Sequence, residues 1–126
     1  IETRDAIRQV QRDLFAVGAE IATSLAAPDL LSRRVDDAML ADLDARRDAL
    51  EAVTPWPQGF IVPGANPASA HLDHARSVAR RLERRVTSLV DEGVIANRTL
   101  VVWLNRLSDF LWLLARSEED RPDLLD

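Results

Sequence analysis

The sequence of 126 residues contains no cysteine, which excludes a disulfide framework and a thiolate metal site. It has no apolar run near the roughly 20 residues that span a membrane, and charges throughout residues 1–20 are unlike a signal peptide. Basic residues are also fewer than acidic ones: 16 against 21, which gives a formal net charge of −5. This balance disfavours general binding to nucleic acid or acidic membranes. We therefore expect a cytoplasmic protein without nucleic-acid or membrane partners, in which any basic site is local.

Apolar residues recur at steps of three and four in four segments, about 2–26, 35–53, 67–92 and 98–118. This periodicity is typical of helices with one buried face. The length fits one folded domain, and short connections favour antiparallel neighbours. The sequence therefore predicts an all-α, up-and-down bundle of four helices in a single domain, residues 1–126.

The segments between the helices carry turn and cap signals. Asn66 and Asn97 are expected to cap the third and fourth helices. The apolar stretch "FIV" at 60–62 is expected to be extended without a pairing partner, and the tail from 117 onward to be a frayed end. Trp56 and Trp103 are expected to be packing residues.

Arginines are concentrated on the third predicted helix. Arg76, Arg80 and Arg84 are spaced by four and form one stripe, and Arg81 and Arg85 lie on a second stripe beside it. One interpretation is a solvated face whose arginines pair with nearby carboxylates. The other is that the first stripe faces an interface and binds a polyanion such as a triphosphate, which suits the planar guanidinium group. Spacing alone leaves both open.

The fourth predicted helix has a polar stripe distinct from its leucine row, formed by Asn105, Asp109, Trp112 and Arg116. An interface and an exposed face with Trp112 half covered are both compatible with it. His71 and His74 are three residues apart, but two ligands do not make a metal site. We identify no metal site in this chain.

Three segments resemble, in the same order, blocks of the PduO-type ATP:cob(I)alamin adenosyltransferases: "FIVPG" (60–64), "HARSVARRLERR" (74–85) and "WLNRLSDFLWLLAR" (103–116). "IRQVQRDLFAVGAEIAT" (7–23) resembles the preceding helix of that family, so the resemblance covers about residues 6–116. It implies a homotrimer of five-helix bundles with the active site between adjacent subunits. There ATP with Mg²⁺ would donate its 5′-deoxyadenosyl group to cob(I)alamin and release triphosphate. The resemblance also implies a reductase or a cobalamin-dependent acceptor enzyme as a further partner.

The resemblance also implies roles for particular residues. Arg80, Glu83 and Asn105 match catalytic positions that contact ATP. Arg76 matches an arginine of an ion pair between subunits, and for Asp109 we infer a supporting role that orients arginines.

On the corrinoid side, Phe60 matches the aromatic residue that occupies the lower face of the corrin and displaces the axial base. Trp112 stands where the family usually has phenylalanine. These two apolar side chains would exclude the base and water. Loss of the axial donor makes cob(II)alamin easier to reduce, because that donor no longer destabilises the orbital that receives the electron.

The sequence also departs from the family. A "TRTGD"-like phosphate-binding loop and the first family helix are not found, so we expect this chain to lack that N-terminal part. Asp73 and Leu82 stand where the family often has histidine and alanine. These departures motivate an alternative, a non-catalytic corrinoid-binding or scaffold bundle related to the enzyme. A plain helical interaction module is a third hypothesis.

Overall fold

A computed structural model describes residues 2–120 and 124–125. Its helices are α1 (Thr3–Ala26), α2 (Asp37–Val53), α3 (Pro67–Asp91) and α4 (Arg98–Ser117), with a short 3-10 helix at Pro28–Leu30. In this part of the chain, extended pairing is limited to an isolated bridge between Ile61 and Leu124. The predicted all-α bundle of four helices is confirmed.

Helix α4 lies at the centre of the core and packs against both α3 and α2. The apolar row predicted for this helix is buried and consists of Leu100, Leu104, Leu107, Leu111 and Leu114. The side chain of Trp103 is also fully buried, as expected for a packing residue. An ion pair of 2.9 Å between Asp13 and Arg46 joins α1 to α2. The polar stripe of α4 therefore lies on the described helix that has the most buried residues.

Helix α2 begins two residues later than the sequence predicts. Asp36 caps it by accepting a hydrogen bond of 2.9 Å from the amide of Met39. Val35 is buried in the preceding loop, where its amide donates to Oε1 of Glu20 at 2.6 Å. Asn97 donates to the same carboxylate and caps α4 through Thr99. The buried Glu20 thus joins α1, the loop before α2 and the start of α4.

Helices α1 and α3 leave an apolar groove of about 550 Å³ between them, with α4 as its floor. Ile7, Leu14, Val78 and Leu82 lie on its walls. The described helices therefore leave part of the apolar surface of α1 and α3 uncovered. No described helix is long and apolar enough to cross a membrane.

The "FIV" stretch pairs with the C-terminal tail, which corrects the expectation that it has no partner. Ile61 forms the antiparallel bridge with Leu124, and the amide of Leu125 donates to the carbonyl of Phe60 at 2.8 Å. Backbone donors and acceptors of an extended segment need partners, and these tail residues supply them. The end of the tail is thus not simply frayed, although 121–123 and 126 lie outside the described residues.

Asn66 begins α3 with a capping box. Its side chain accepts a hydrogen bond of 2.8 Å from the amide of Ser69, whose hydroxyl accepts from the Asn66 amide at 3.2 Å. Nδ2 of Asn66 also donates to the carbonyl of Glu118 at 2.8 Å. The predicted cap is confirmed, and it also ties the start of α3 to the end of α4.

We expect Asn66→Ala to lower the free energy of unfolding by about 1 kcal/mol, the usual effect of losing an N-cap. Asn66→Asp should lower it less, because the carboxylate still accepts from Ser69 and only the bond to Glu118 is lost. Thermal denaturation followed by circular dichroism measures both variants. Equal stability of Asn66→Ala and the unmodified protein would contradict the role of this cap.

Candidate active site

The two arginine stripes of α3 are free of intramolecular ion pairs within the described chain. Arg80, Arg81, Arg84 and Arg85 are exposed and Arg76 is half-buried, and none of the salt bridges between described residues includes them. The exposure of four of them agrees with the interpretation of a solvated face, whereas the pairing with nearby carboxylates that belonged to that interpretation is not found among the described residues. Their guanidinium groups keep their donors available for an anion.

Glu83, a carboxylate of the same helix, is hydrogen-bonded to an amide of α4 and forms no ion pair with the described arginines. Oε2 of Glu83 accepts a hydrogen bond of 3.3 Å from Nδ2 of Asn105, and Oδ1 of Asn105 accepts from Arg106 at 3.2 Å. The structure thus brings together Glu83 of α3 and Asn105 of α4, two residues selected from the sequence. Both are half-buried beside the exposed Arg80, so one face of the bundle presents a cation, a carboxylate and an amide.

Next to this face is a cavity of about 260 Å³, here called the Trp56 cavity, whose lining includes Arg47, Trp56, Arg76, Asp109 and Trp112. Asp109 is exposed, and no ion pair between described residues includes it. Its predicted role in orienting arginines stays a prediction. The cavity does place its carboxylate in the same wall as Arg76.

A second cavity of about 490 Å³, the Gly64 cavity, is lined by residues of the α2–α3 connection, α3 and α4. Among them are Ile61, Gly64, Asp73, Arg76, Trp112 and Arg116. Gly64 has a φ of +90°, a conformation that glycine adopts without strain. The "PG" turn therefore brings the "FIV" stretch to the start of α3 and places Ile61 in the cavity wall.

Trp112 lines both cavities and is flanked by two side chains. The centroid of its ring lies 5.2 Å from that of Trp56, with the planes inclined by 45°, and Cζ of Arg116 lies 5.1 Å from it. Trp56 is 56% exposed. The expectation that it is a packing residue is therefore met only by its contact with Trp112. The contact between Trp56 and Trp112 could not be predicted from periodicity, because it depends on the path of the connection after α2.

Phe60 is 83% exposed. Of the described "FIV" residues, Ile61 rather than Phe60 lines the Gly64 cavity. A large exposed aromatic side chain beside an apolar wall is a candidate contact for a flat ligand. The two residues assigned to the corrinoid by resemblance are therefore an indole in the cavity wall, Trp112, and an exposed phenyl ring, Phe60, which precedes the wall residue Ile61 in sequence.

The two histidines are separated by their positions on α3. His71 lines the apolar groove and His74 the Gly64 cavity. Within residues 2–120 and 124–125, no group of three metal-ligating side chains is present.

A buried charged cluster at the end of α4 was not predicted from the sequence. Arg116 is 4% exposed and donates from Nη2 to Asp73 and from Nε to Glu119, both at 2.6 Å. Periodicity placed Arg116 on the polar stripe but gave no reason to bury it. The only available signal was the departure at Asp73, which supplies its partner.

This helical bundle is similar in structure to PduO-type ATP:corrinoid adenosyltransferases. A variant of the Lactobacillus reuteri enzyme complexed with cobalamin and ATP superimposes with a TM-score of 0.83 at 26% identity, covering 96% of this chain and 67% of that chain. A variant complexed with ATP gives a TM-score of 0.80 at 27% identity, covering 97% and 70%.

The sequence profile of the cobalamin adenosyltransferase family matches residues 1–118. The chain belongs to this family, which confirms the resemblance. It is 38% identical over 125 residues to a corrinoid adenosyltransferase of Mycobacterium tuberculosis, covering 96% of this chain and 64% of that protein. It is 37% identical over 117 residues to the corrinoid adenosyltransferase PduO of Salmonella typhimurium, covering 92% and 34%. The chain thus spans less than two thirds of these curated relatives.

Proposed function

We propose that the protein is an ATP:corrinoid adenosyltransferase, which transfers the 5′-deoxyadenosyl group of ATP to cob(I)alamin and releases triphosphate. The observation that carries this proposal is the arrangement on one face of a chain of this family: arginines that form no ion pair with the described residues lie beside the Glu83–Asn105 pair and two cavities that share Trp112. A cationic stripe suits a polyphosphate, and an aromatic wall suits a large planar ring.

On the nucleotide side, Arg80 contacts the triphosphate, and Glu83 and Asn105 contact other polar groups of ATP. During the reaction the Co–C5′ bond forms while the C5′–O bond breaks, and the electron pair of that bond leaves with the triphosphate. Arginine forks stabilise the charge of the departing group. Cob(I)alamin is a strong nucleophile, so the remaining task of the protein is to hold C5′ in line with cobalt.

On the corrinoid side, Phe60 and Trp112 cover the lower face of the corrin and exclude the axial base and water. Phe60 is exposed in the chain alone, so it is available for a ligand surface. The reaction also needs a reductant that supplies Co(I), and an adenosylcobalamin-dependent enzyme that uses the product. A reductase and an acceptor enzyme are thus the further partners in this proposal.

The active assembly in this proposal is a homotrimer with the active site between adjacent subunits. Arg76 supplies an ion pair to the neighbouring subunit, and Asp109 helps to orient the arginines. Two features support this assignment. Arg76 has no ion pair with the described residues of its own chain, and it lies in the walls of both cavities.

Magnesium enters as part of the nucleotide. Mg²⁺ is usually held by phosphate oxygens, water and one or two carboxylates rather than by a protein cage. In this proposal the carboxylates of Glu83 and Asp109 on the nucleotide face would supply the protein contact to the metal. Bound Mg²⁺ would neutralise part of the triphosphate charge.

The test is to incubate the protein, expressed from its complete coding sequence, with MgATP and chemically reduced cobalamin. We expect the adenosylcobalamin absorption spectrum and one intact triphosphate per cobalamin, detected by ³¹P NMR. Omission of ATP is the control. Absence of adenosylcobalamin, or release of orthophosphate without it, would reject the proposal.

The alternative of a non-catalytic corrinoid-binding bundle is motivated by Asp73, which is bound by Arg116 at 2.6 Å in the wall of the Gly64 cavity. Calorimetry separates the two functions. The non-catalytic protein would bind cobalamin without any heat from ATP, whereas the enzyme binds both.

A further inference from the structure

The buried cluster formed by Arg116, Asp73 and Glu119 has an unusual charge balance. The side chains of the three residues are 2%, 14% and 1% exposed, and one formal positive charge faces two negative charges. Desolvation of buried ion pairs is costly, so such clusters are weak evidence for stability. Nη1 of Arg116 and Oε2 of Glu119 also have no hydrogen-bond partner within the described structure. Stabilisation of the bundle alone therefore does not explain why these three charged side chains are buried together.

Its geometry fixes the plane of the Arg116 guanidinium group. Nε donates to Glu119 and Nη2 to Asp73, each at 2.6 Å. Because the guanidinium group is rigid and planar, two bonds at different corners determine its orientation as well as its position. Glu119 follows α4 and Asp73 belongs to α3, so the guanidinium group is held from two parts of the fold.

The guanidinium group in turn contacts the indole of Trp112. Its Cζ lies 5.1 Å from the ring centroid, inside the limit of about 6 Å for a cation–π contact. Trp56 lies against the same indole at 5.2 Å but is itself 56% exposed. Of these two neighbours, the buried Arg116 is the firmly held one.

We infer that Arg116 is a positioning residue that holds the indole of Trp112 in the wall shared by the Gly64 and Trp56 cavities, with Asp73 and Glu119 holding Arg116. Assignment of this wall to the corrinoid rests on the proposed function. The position of the indole then determines the shape of the corrinoid surface, whereas the nucleotide contacts at Arg80 lie outside the cluster. Loosening the cluster should weaken corrinoid binding selectively.

The test uses Asp73→Asn, which removes a charge with little change in shape, and Arg116→Lys, which keeps the charge but loses the planar fork. Asp13→Asn is the matched control, because Asp13 and Asp73 are both 14% exposed and each forms an ion pair with an arginine of another helix, while Asp13 lines neither cavity. The first readout is the ¹H–¹⁵N signal of the Trp112 indole, assigned by its loss in Trp112→Phe. The second is the KM for cobalamin compared with that for ATP.

We expect both cluster variants to shift or broaden the Trp112 signal, and Asp13→Asn to leave it in place. The KM for cobalamin should rise severalfold, with about thirtyfold, the loss of an entire desolvated cation–π contact, as the upper limit. The KM for ATP should stay within about twofold, a change worth less than half a kcal/mol. A general loss of stability would not produce this difference between the two substrates.

An unchanged Trp112 signal in both cluster variants would overturn the inference. So would a shifted signal with an unchanged KM for cobalamin, because the indole would then be held for another purpose. The NMR measurement needs no ligand. It decides whether the cluster holds Trp112 even if the unmodified protein makes no adenosylcobalamin, the result that would instead reject the proposed function.

Discussion

Arg80→Ala is expected to lower kcat/KM for ATP by roughly 10-fold to 150-fold, the range for loss of a hydrogen bond to a charged group. Arg80 is exposed on α3 and has no ion pair with the described residues. Its truncation should therefore leave the bundle folded. Steady-state kinetics with saturating cobalamin measure the effect, and circular dichroism checks the fold.

Arg81→Ala is the matched control for Arg80→Ala. Arg81 is the next residue on the same helix and is also exposed, but it lies on the second stripe rather than the first. The substitution removes the same charge from the protein, so a general electrostatic effect on ATP would appear in both variants. Equal kinetics in the two variants, or unchanged ATP use in Arg80→Ala, would remove Arg80 from the nucleotide site.

The helices could be predicted because their signals are local. The dipeptide Asn66–Pro67 marks the start of α3, and the structure begins the helix there with the predicted cap. The start of α2 was misplaced for the opposite reason. Val35 fits the apolar period of the helix, yet its amide bonds to Glu20, fifteen residues earlier. Periodicity records which residues are apolar, but not which distant acceptor binds a backbone amide.

Apolar residues near helix ends show the same limit. Leu25 and Val53 fit the buried rows of α1 and α2, but both are exposed in the structure. The last turn of a helix can extend beyond the neighbours that would cover it. Burial there depends on where those neighbours end, which the spacing of apolar residues does not specify.

The candidate site was predictable only in part. Helix periodicity placed Asn105 on the polar stripe of the fourth helix, and family resemblance selected both Glu83 and Asn105 before their contact was known. The burial of Arg116 could not be predicted, because its partner Asp73 is 43 residues away. A charged residue on a polar stripe is ordinarily solvated, and only tertiary packing determines that this one is enclosed.

Phe60→Ala is expected to reduce the ratio of base-off to base-on cob(II)alamin bound in the presence of ATP by between about 10-fold and 150-fold. Burying a phenyl ring is worth about 1.5–3 kcal/mol, and each 1.4 kcal/mol is about a tenfold change in an equilibrium. Phe60 is 83% exposed in the chain alone. Its burial energy can therefore be gained when a corrin covers it, and it favours the state in which the axial base is displaced.

The absorption and electron paramagnetic resonance spectra of cob(II)alamin measure this ratio, because the four-coordinate and base-on states have different signals. Phe15→Ala is the matched control, since Phe15 is 85% exposed on α1 and its truncation removes the same apolar area far from the "FIV" stretch in sequence. ATP affinity should stay unchanged in both variants. A cob(II)alamin spectrum identical in Phe60→Ala and the unmodified protein would mean that another group displaces the base. Trp112 would then be the residue to test next, because its indole forms part of both cavity walls.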